Sequence, residues 1–404
     1  MTKIPAFLSH ALLGCAALFS AAPALSDDDD GDNGQWRKIV PTAAVMGADG
    51  KMHKASCSGY PGLDKTFSFW TKKGSSKNLM VFFEGGGACW DNYTCTFPSS
   101  PAANGFYTPA LDPSTNPATF DGVFKSDNRH NPVRDWSVVY IPYCTGDLHV
   151  GSASKNYFSA GYPGFPLGTP FQIEHRGFDN FMVVLDWMKK NVDKPKNMLV
   201  TGVSAGGYGA SLNFPWLARA YPKAKLNVVA DASQGVTVPA FDVAATGRNS
   251  WNPQFAPWIF GNTPPTAAGS ELLRVATRAY PEAKVAQFTT AFDDVQIFFY
   301  GAMKQLYGDA GNCANPGVDW YQQMSTTLVS YANTLPNYRY YVAGGQYHTI
   351  VSSPSFYTEA SGGVAFSEWL DDMLESRGGR AGRGGGDWRN SACPNCLVNL
   401  PCPP

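Results

Sequence analysis

Short apolar runs alternate with longer amphipathic stretches along the chain. In residues 177–191, apolar side chains recur at the i, i+3, i+4 and i+7 spacing of one helix face, beginning at Phe178. Similar patterns predict helices near 270–279, 317–333 and 364–375. Short apolar runs bounded by turn residues predict buried strands. These strands are Leu79–Phe83, Trp136–Tyr140, Asn197–Thr201, Leu226–Ala230, Ala286–Thr290 and Arg339–Val342.

This alternation predicts the fold class. Strands that alternate with helices favour a doubly wound, mostly parallel sheet flanked by helices, which is an α/β architecture. The 404 residues suffice for one large α/β domain or two small ones. A net charge of −1 with only 16% charged residues excludes the basic footprint of a nucleic-acid partner and a polybasic membrane-binding surface.

The N-terminus has the features of a targeting segment. Lys3 precedes an uncharged, mostly apolar stretch, and small residues near Ala24 offer a cleavage site, so we predict a signal peptide over 1–26. A lipoprotein signal ending at Cys15 is the less favoured alternative, because more apolar sequence follows that cysteine. The stretch is too short to predict a membrane span. We expect a secreted or periplasmic protein.

The rest of the chain divides by composition. An acidic linker over 27–35 precedes a catalytic domain predicted over 36–376. Residues 377–404 comprise a Gly/Arg-rich spacer and a cysteine-rich tail.

The cysteine count agrees with export. Eight cysteines follow the predicted signal peptide, and an even number in an oxidising compartment favours up to four disulfides. Cys89 and Cys95 are close enough in sequence to close a small loop. The Cys393–Cys396 spacing also suits a redox or zinc half-site, but no second pair completes a zinc set, so structural bridging is favoured. The eight are Cys57, Cys89, Cys95, Cys144, Cys313, Cys393, Cys396 and Cys402.

The main candidate for chemistry is Ser204. The sequence Gly202-Val203-Ser204-Ala205-Gly206 follows a predicted strand and precedes a plausible helix, as in the G-x-S-x-G nucleophile elbow. Such a turn holds its serine in a strained conformation with the hydroxyl exposed above the sheet edge. A Cβ at either glycine would collide with the neighbouring strand or helix.

A nucleophilic serine needs a base and a group that orients the base. His348 is the only histidine C-terminal to Ser204, and it follows the last predicted strand, so we assign it as the base. Asp293 follows the strand expected to carry the acid and is the preferred residue, with Asp294 and Asp231 as alternatives. Adjacent carboxylates cannot readily share one imidazole, so one of Asp293 and Asp294 is expected to be a cap or a surface residue.

The oxyanion hole is predicted to use the amide of Ala205 and donors from a loop after an early strand. Glu84-Gly85-Gly86-Gly87-Ala88 suits that loop, because consecutive glycines let amides turn toward a developing oxyanion. A phosphate cradle is the competing interpretation, but no Gly-Lys-Ser/Thr follows.

Together these blocks resemble the pectin acetylesterase family, to which Notum belongs. The resemblance rests on a few short motifs within roughly residues 55–350: Phe83-Glu84-Gly85-Gly86-Gly87 with Cys89, Tyr143-Cys144-x-Gly146, Arg176-Gly177, Gly202-x-Ser204-Ala205-Gly206-Gly207, Ala291-Phe292-Asp293-Asp294-Val295-Gln296 and His348. It implies an α/β-hydrolase fold and a cofactor-free serine carboxylesterase without a metal.

Carried over residue by residue, the resemblance implies a Ser204–His348–Asp293 triad and oxyanion donors at Gly86, Gly87 and Ala205. It also implies the Cys89–Cys95 loop and a Cys57–Cys144 bridge. Gly87 and Val203 depart from residues found in Notum and in many plant members, respectively, which affects the acyl substrate more than the chemistry.

The predicted function is therefore a monomeric, exported esterase acting on O-acetyl groups of a polysaccharide such as pectin, or on another acyl ester. Trp70, Trp90, Tyr143 and Tyr208 are candidates for a sugar platform or an acyl pocket. An amidase or peptidase with the same triad, or an inactive hydrolase scaffold that binds carbohydrate, are the alternatives.

Overall fold

The computed structural model describes residues 34–99, 105–261, 266–375 and 388–402. The predicted signal peptide, most of the acidic linker and the Gly/Arg-rich spacer lie outside the described residues. None of the helices in the described ranges has the length and apolar character needed to cross a bilayer.

A nine-stranded sheet forms the centre of the fold, in the order β1-β2-β4-β3-β5-β6-β7-β8-β9. Only the pairings of β2 with β1 and with β4 are antiparallel, so β2 alone runs against the other strands of this sheet. The strands in chain order, β1 to β9, are Trp36–Ile39, Phe69–Lys72, Asn78–Phe83, Ser137–Ile141, Asn197–Val203, Lys225–Asp231, Lys284–Thr290, Tyr338–Ala343 and Ser391–Ala392.

Three small hairpins lie outside this sheet. They pair Val45–Met46 with Met52–His53, Ala153–Phe158 with Pro170–His175, and Ala360–Ser361 with Val364–Ala365.

Helices connect the parallel strands. The α-helices of the described ranges, α1 to α9, are Asn92–Thr96, Gly177–Asn191, Ala205–Ala220, Pro239–Val243, Pro257–Phe260, Gly269–Ala279, Asp294–Tyr307, Pro316–Thr334 and Phe366–Glu375. The 3₁₀ helices are Pro117–Thr119, Gly122–Phe124, Arg248–Trp251 and Pro354–Tyr357.

The sheet is apolar on both faces, as parallel sheets covered by helices are. Along β3, Leu79 and Val81 face a core shared with α2 and α3, whereas Met80 and Phe82 face a second core shared with α9. This alternation of side chains explains why the strand reads as one continuous apolar run rather than as a polar and apolar alternation.

The α/β prediction with a mostly parallel sheet is confirmed, and each predicted strand and helix is present with small shifts at its ends. The predicted helix over 364–375 begins only at Phe366, because 364–365 form a hairpin strand. Helix α7 was not predicted. Its buried positions include the polar Gln296 and Lys304 while Phe298 is exposed, so the apolar pattern does not mark one helix face.

All eight predicted cysteines are paired. The bridges are Cys57–Cys144, Cys89–Cys95, Cys313–Cys402 and Cys393–Cys396. The described part of the C-terminal tail belongs to the fold, because β9 pairs with β8 and Cys402 bridges to the segment before α8.

Candidate active site

Ser204 lies at the junction of β5 and α3, with φ 57° and ψ −125°. A positive φ is uncommon for a residue with a side chain and costs about 1–3 kcal/mol, so the surrounding structure must hold it. The Ser204 amide donates to the carbonyl of Asp231 at 2.8 Å, and the Ser204 carbonyl accepts from Gly207 at 2.9 Å. This is the strained turn that the sequence predicts.

The glycines on either side are required by close backbone approach. A Cβ on Gly206 would lie 2.0 Å from the carbonyl oxygen of Phe83, and one on Gly202 would lie 2.3 Å from the carbonyl oxygen of Gly206. Both distances are far below van der Waals contact. The turn therefore packs directly on the end of β3, where the glycine-rich loop begins.

His348 lies in the loop after β8, and its Nδ1 is 2.8 Å from Asp293 Oδ1 and 2.9 Å from Oδ2. Because the carboxylate accepts, Nδ1 carries the proton of the neutral ring and Nε2 is left as the basic nitrogen. Nε2 is buried and has no hydrogen-bond partner among the described groups. Such a nitrogen can accept a proton from a nucleophile in the same cavity.

Asp293 is also the N-cap of α7. Its Oδ1 accepts the amides of Val295 at 3.1 Å and Gln296 at 2.9 Å, and its Oδ2 accepts Gln296 Nε2 at 3.1 Å. The carboxylate is fully buried, and these donors hold it in one orientation.

The two alternative acids lie elsewhere. Asp294 is exposed in the first turn of α7. Asp231 is buried, and its Oδ2 accepts the amides of Ile350 and Val351, each at 2.7 Å. Burial raises the pKa of Asp231 to about 7. Asp231 therefore fixes the backbone that follows His348 rather than the imidazole itself.

The glycine-rich loop runs beside the turn at Ser204. Gly87 has φ 71°, and a Cβ there would lie 2.0 Å from the carbonyl oxygen of Phe106. In the described part of the chain, no acceptor takes the amides of Gly86, Gly87 or Ala205. Gly87 and Ala205 line the cavity that holds Ser204, whereas Gly86 is not among its lining residues.

Two supporting residues were not anticipated from the sequence. Glu84 accepts the amide of Tyr143 at 3.0 Å, and burial raises the Glu84 pKa. The Nε2 of His149 donates to the carbonyl of Glu84 at 2.9 Å, and burial lowers the His149 pKa to about 4, which keeps the ring neutral. In the structure, Leu148 and His149 are marked by positive φ angles of 56° and 60°. A positive φ at such residues cannot be predicted from the sequence, so the role of His149 could not be identified there.

Ser204 and His348 line one narrow cavity of about 80 Å³. Its wall is mostly apolar, and its aromatic members are Trp90, Tyr208, Phe241, Trp251, Phe299 and Trp320. Of the four aromatic candidates predicted from sequence, Trp90 and Tyr208 line this cavity. Trp70 packs with Tyr140 in the core on the other sheet face, and Tyr143 is buried beneath the glycine-rich loop.

Arg248 in the cavity wall belongs to a buried ion pair. Arg248 Nη1 lies 2.8 Å from Asp242 Oδ1, and both side chains are almost fully buried. Burial raises the pKa of Asp242 to about 6, with Arg248 opposing the shift. This pair adds a polar edge to an otherwise apolar wall.

The described residues contain one cluster with metal-ligand spacing, Cys89, Cys95 and His175. Its two sulfurs form a disulfide, and His175 Nε2 is 2.8 Å from the hydroxyl of Tyr157. The donor atoms are thus already engaged within the fold.

Comparisons with known proteins identify the family of this chain. A pectinacetylesterase family model matches residues 54–256. That match includes the glycine-rich loop and Ser204 but ends before Asp293 and His348.

Three curated proteins illustrate the similarity. Palmitoleoyl-protein carboxylesterase notum1 of Xenopus laevis is 25% identical over 203 residues, 50% of this chain and 36% of its own. Palmitoleoyl-protein carboxylesterase NOTUM of Schmidtea mediterranea is 27% identical over 151 residues, 37% of this chain and 26% of its own. Notum1a of Danio rerio, with the same activity in its name, is 28% identical over 141 residues, 34% of this chain and 25% of its own. The chain thus spans only about a quarter to a third of these relatives.

Proposed function

Because the chain belongs to the pectinacetylesterase family, we propose that it hydrolyses carboxylic esters with Ser204 as the nucleophile. The observation that carries the proposal is the environment of His348. Its Nδ1 contacts Asp293, while its Nε2 is unpartnered among the described groups and borders the cavity shared with Ser204.

In the proposed reaction, Ser204 Oγ attacks the ester carbonyl carbon while His348 Nε2 takes the hydroxyl proton. The Asp293 carboxylate stabilises the resulting imidazolium. The tetrahedral oxyanion is stabilised by the amides of Gly87 and Ala205, with Gly86 as a further donor. The intermediate collapses, His348 protonates the departing alcohol, and the acyl group stays on Ser204.

Deacylation repeats these steps with water. His348 takes a proton from a water molecule, which attacks the acyl carbonyl, and then returns that proton to Ser204 Oγ as the carboxylic acid leaves. The net reaction consumes one water molecule and releases the alcohol and the carboxylic acid.

We infer that the acyl group is short. The cavity wall is mostly apolar and includes the large rings of Trp90, Phe241 and Phe299, which suits a short apolar acyl group such as acetyl. The family name points to the same class, the O-acetyl groups of a polysaccharide such as pectin. The four disulfides support a site of action in an oxidising compartment, secreted or periplasmic.

The test is hydrolysis of p-nitrophenyl acetate by the full chain and by Ser204→Ala. Loss of the nucleophile lowers kcat by about 10⁶ when a triad acts as a unit. Ser114→Ala, at an exposed loop serine, is the matched control and retains the wild-type rate. A fluorophosphonate probe should label the wild type and the control but not Ser204→Ala.

Three results would contradict the proposal. Retained turnover in Ser204→Ala, with an unchanged near-ultraviolet circular dichroism spectrum, would exclude Ser204 as the nucleophile. Faster cleavage of acetyl p-nitroanilide than of the matched ester would indicate an amidase. Absence of both labelling and turnover in the wild type would indicate a scaffold without catalysis.

A further inference from the structure

We propose that an exposed set of aromatic rings beside the cavity binds the carbohydrate chain that carries the ester. This aromatic shelf consists of Tyr93, Phe106 and Phe298. The proposal rests on the proposed esterase function and assigns a site for the alcohol part of the substrate.

The shelf rings form a contiguous row. The ring centroids of Tyr93 and Phe106 are 5.8 Å apart, and those of Phe106 and Phe298 are 5.4 Å apart. Tyr93 is 49% exposed and Phe298 is 47% exposed, whereas Phe106 is 8% exposed between them. Large aromatic side chains are usually buried, so two half-exposed rings on one row mark a contact surface.

The row adjoins the cavity wall. The backbone of Phe106 pairs with the glycine-rich loop, since its carbonyl accepts the amide of Ala88 at 2.9 Å. Phe298 contacts Phe299, with centroids 5.3 Å apart, and Phe299 lines the cavity that holds Ser204. The shelf is therefore continuous with the cavity on the side of the predicted oxyanion donors.

Both ends of the shelf are held firmly. Tyr93 lies in α1, whose first turn is closed by a capping box between Asp91 and Thr94 and by the Cys89–Cys95 bridge. Phe298 lies in the second turn of α7, the helix that Asp293 caps. A substrate lying on the rings would thus be positioned by α1, which follows the glycine-rich loop, and by α7, which Asp293 caps.

The acyl and alcohol parts of an ester substrate would occupy different regions of this site. The acyl part of a bound ester enters the closed, mostly apolar cavity, so the alcohol part must leave toward solvent. The half-exposed rings of Tyr93 and Phe298 provide uncharged aromatic surface there, and the C–H faces of a pyranose ring stack on aromatic rings. A sugar ring can bind this surface through its C–H faces, because none of the three shelf side chains carries a charge that would require an ionic partner.

The experiment compares a polymeric and a small ester. The probes are O-acetylated pectin, O-acetylated xylan and ethyl acetate, whose ethyl group has no sugar ring to stack on an aromatic side chain. Tyr93→Leu and Phe298→Leu keep an apolar side chain but remove the flat ring, whereas Tyr93→Phe and Phe298→Tyr keep the ring. Trp258→Leu is the control, because Trp258 is also 40% exposed but packs against Trp216 rather than against a shelf ring.

We expect each leucine variant to raise KM about tenfold for whichever acetylated polysaccharide the wild type hydrolyses better, which corresponds to about 1.4 kcal/mol. The kcat/KM for ethyl acetate should stay within about twofold. The ring-preserving variants and Trp258→Leu should match the wild type on both substrates.

Several results would overturn the shelf as a sugar site. One is an unchanged KM for the polysaccharide in both leucine variants. Another is an equal fall in kcat/KM for the polysaccharide and for ethyl acetate. A wild type that hydrolyses ethyl acetate but neither polysaccharide would also exclude it. Binding to phosphatidylcholine vesicles that is lost in Phe298→Leu would assign the surface to a membrane instead. Failure of the esterase proposal itself would look different, since the wild type would then hydrolyse none of the esters.

Discussion

Asp293 holds His348 with the same carboxylate oxygen that caps helix α7. Its Oδ1 lies 2.8 Å from His348 Nδ1 and 2.9 Å from the amide of Gln296. One oxygen atom thus positions both the start of the helix and the imidazole. A capping residue is immobile because its backbone and its side chain are both constrained, which suits a group that must orient a base.

This dual contact separates catalysis from stability in Asp293→Asn. Asparagine caps helices as well as aspartate does, but its amide nitrogen cannot accept the Gln296 Nε2 hydrogen bond, so the free energy of unfolding should fall by only about 1–3 kcal/mol. The amide cannot hold the same imidazole tautomer, and kcat should fall by about 10⁴. Nitrophenyl acetate kinetics and urea unfolding measure the two effects.

Asp294→Asn is the matched control for that variant, because its carboxylate is adjacent in sequence but exposed. It should retain wild-type kcat. A loss in Asp294→Asn equal to that in Asp293→Asn would show that the wrong carboxylate has been assigned.

Asp231→Asn should change the pH dependence of stability. Burial raises the folded-state pKa of Asp231 to about 7, above the ordinary value of 3.8 in the unfolded chain. Between these values the folded state binds the extra proton, so the contribution of Asp231 to stability falls as pH rises from about 4 to about 7. Asparagine keeps an acceptor for Ile350 and Val351 without that charge.

Asp231→Asn should therefore gain stability over the wild type as pH rises from about 4 to about 7, and match it near pH 4, as measured by thermal unfolding. Asp231→Ala removes the acceptor as well and should be about 1–3 kcal/mol less stable than Asp231→Asn at every pH. A constant difference between wild type and Asp231→Asn across this range would contradict the assigned pKa.

Widening the cavity should lengthen the acyl group that is accepted. Phe241 lines the cavity and is 5% exposed, so Phe241→Ala removes a buried ring from its wall. We expect kcat/KM for nitrophenyl butyrate or hexanoate to rise relative to acetate. The lost packing should also cost about 3–5 kcal/mol of stability.

Phe255→Ala is the control for Phe241→Ala. Phe255 is similarly buried in the same core, at 8% exposed, but does not line the cavity. It should lower stability without changing the acyl-length profile. An unchanged profile in a folded Phe241→Ala protein would mean that the acyl group binds elsewhere.

The disulfides should contribute unequally to stability. Cys57–Cys144 spans 87 residues and Cys89–Cys95 spans 6, and all four side chains are fully buried. Loop-closure entropy predicts losses of about 4–5 kcal/mol for the Cys57→Ala/Cys144→Ala variant and about 2 kcal/mol for the Cys89→Ala/Cys95→Ala variant. Equal midpoints of urea unfolding for the two variants would contradict a dominant effect on the unfolded chain.

Local signals were sufficient for the sheet and for the turn at Ser204. Parallel strands covered on both faces are continuously apolar, so segments such as Lys284–Thr290 are visible without tertiary information. The turn is visible because its steric demands act between near neighbours, Gly202, Ser204 and Gly206. Helix α7 could not be predicted from the sequence, because tertiary contacts, rather than an apolar stripe, decide which of its residues are buried.

Tertiary structure alone decided which side chains meet. Asp231, Asp293 and Asp294 all follow strands that end at the same sheet edge, and nothing local distinguishes the one that contacts His348, 55 residues away. The same holds for His149, which supports Glu84 across 65 residues, and for Tyr93 and Phe298, whose exposure depends on what packs beside them. Strand and turn propensities act over a few residues, whereas these contacts depend on the strand order of the whole sheet, which no short stretch of sequence encodes.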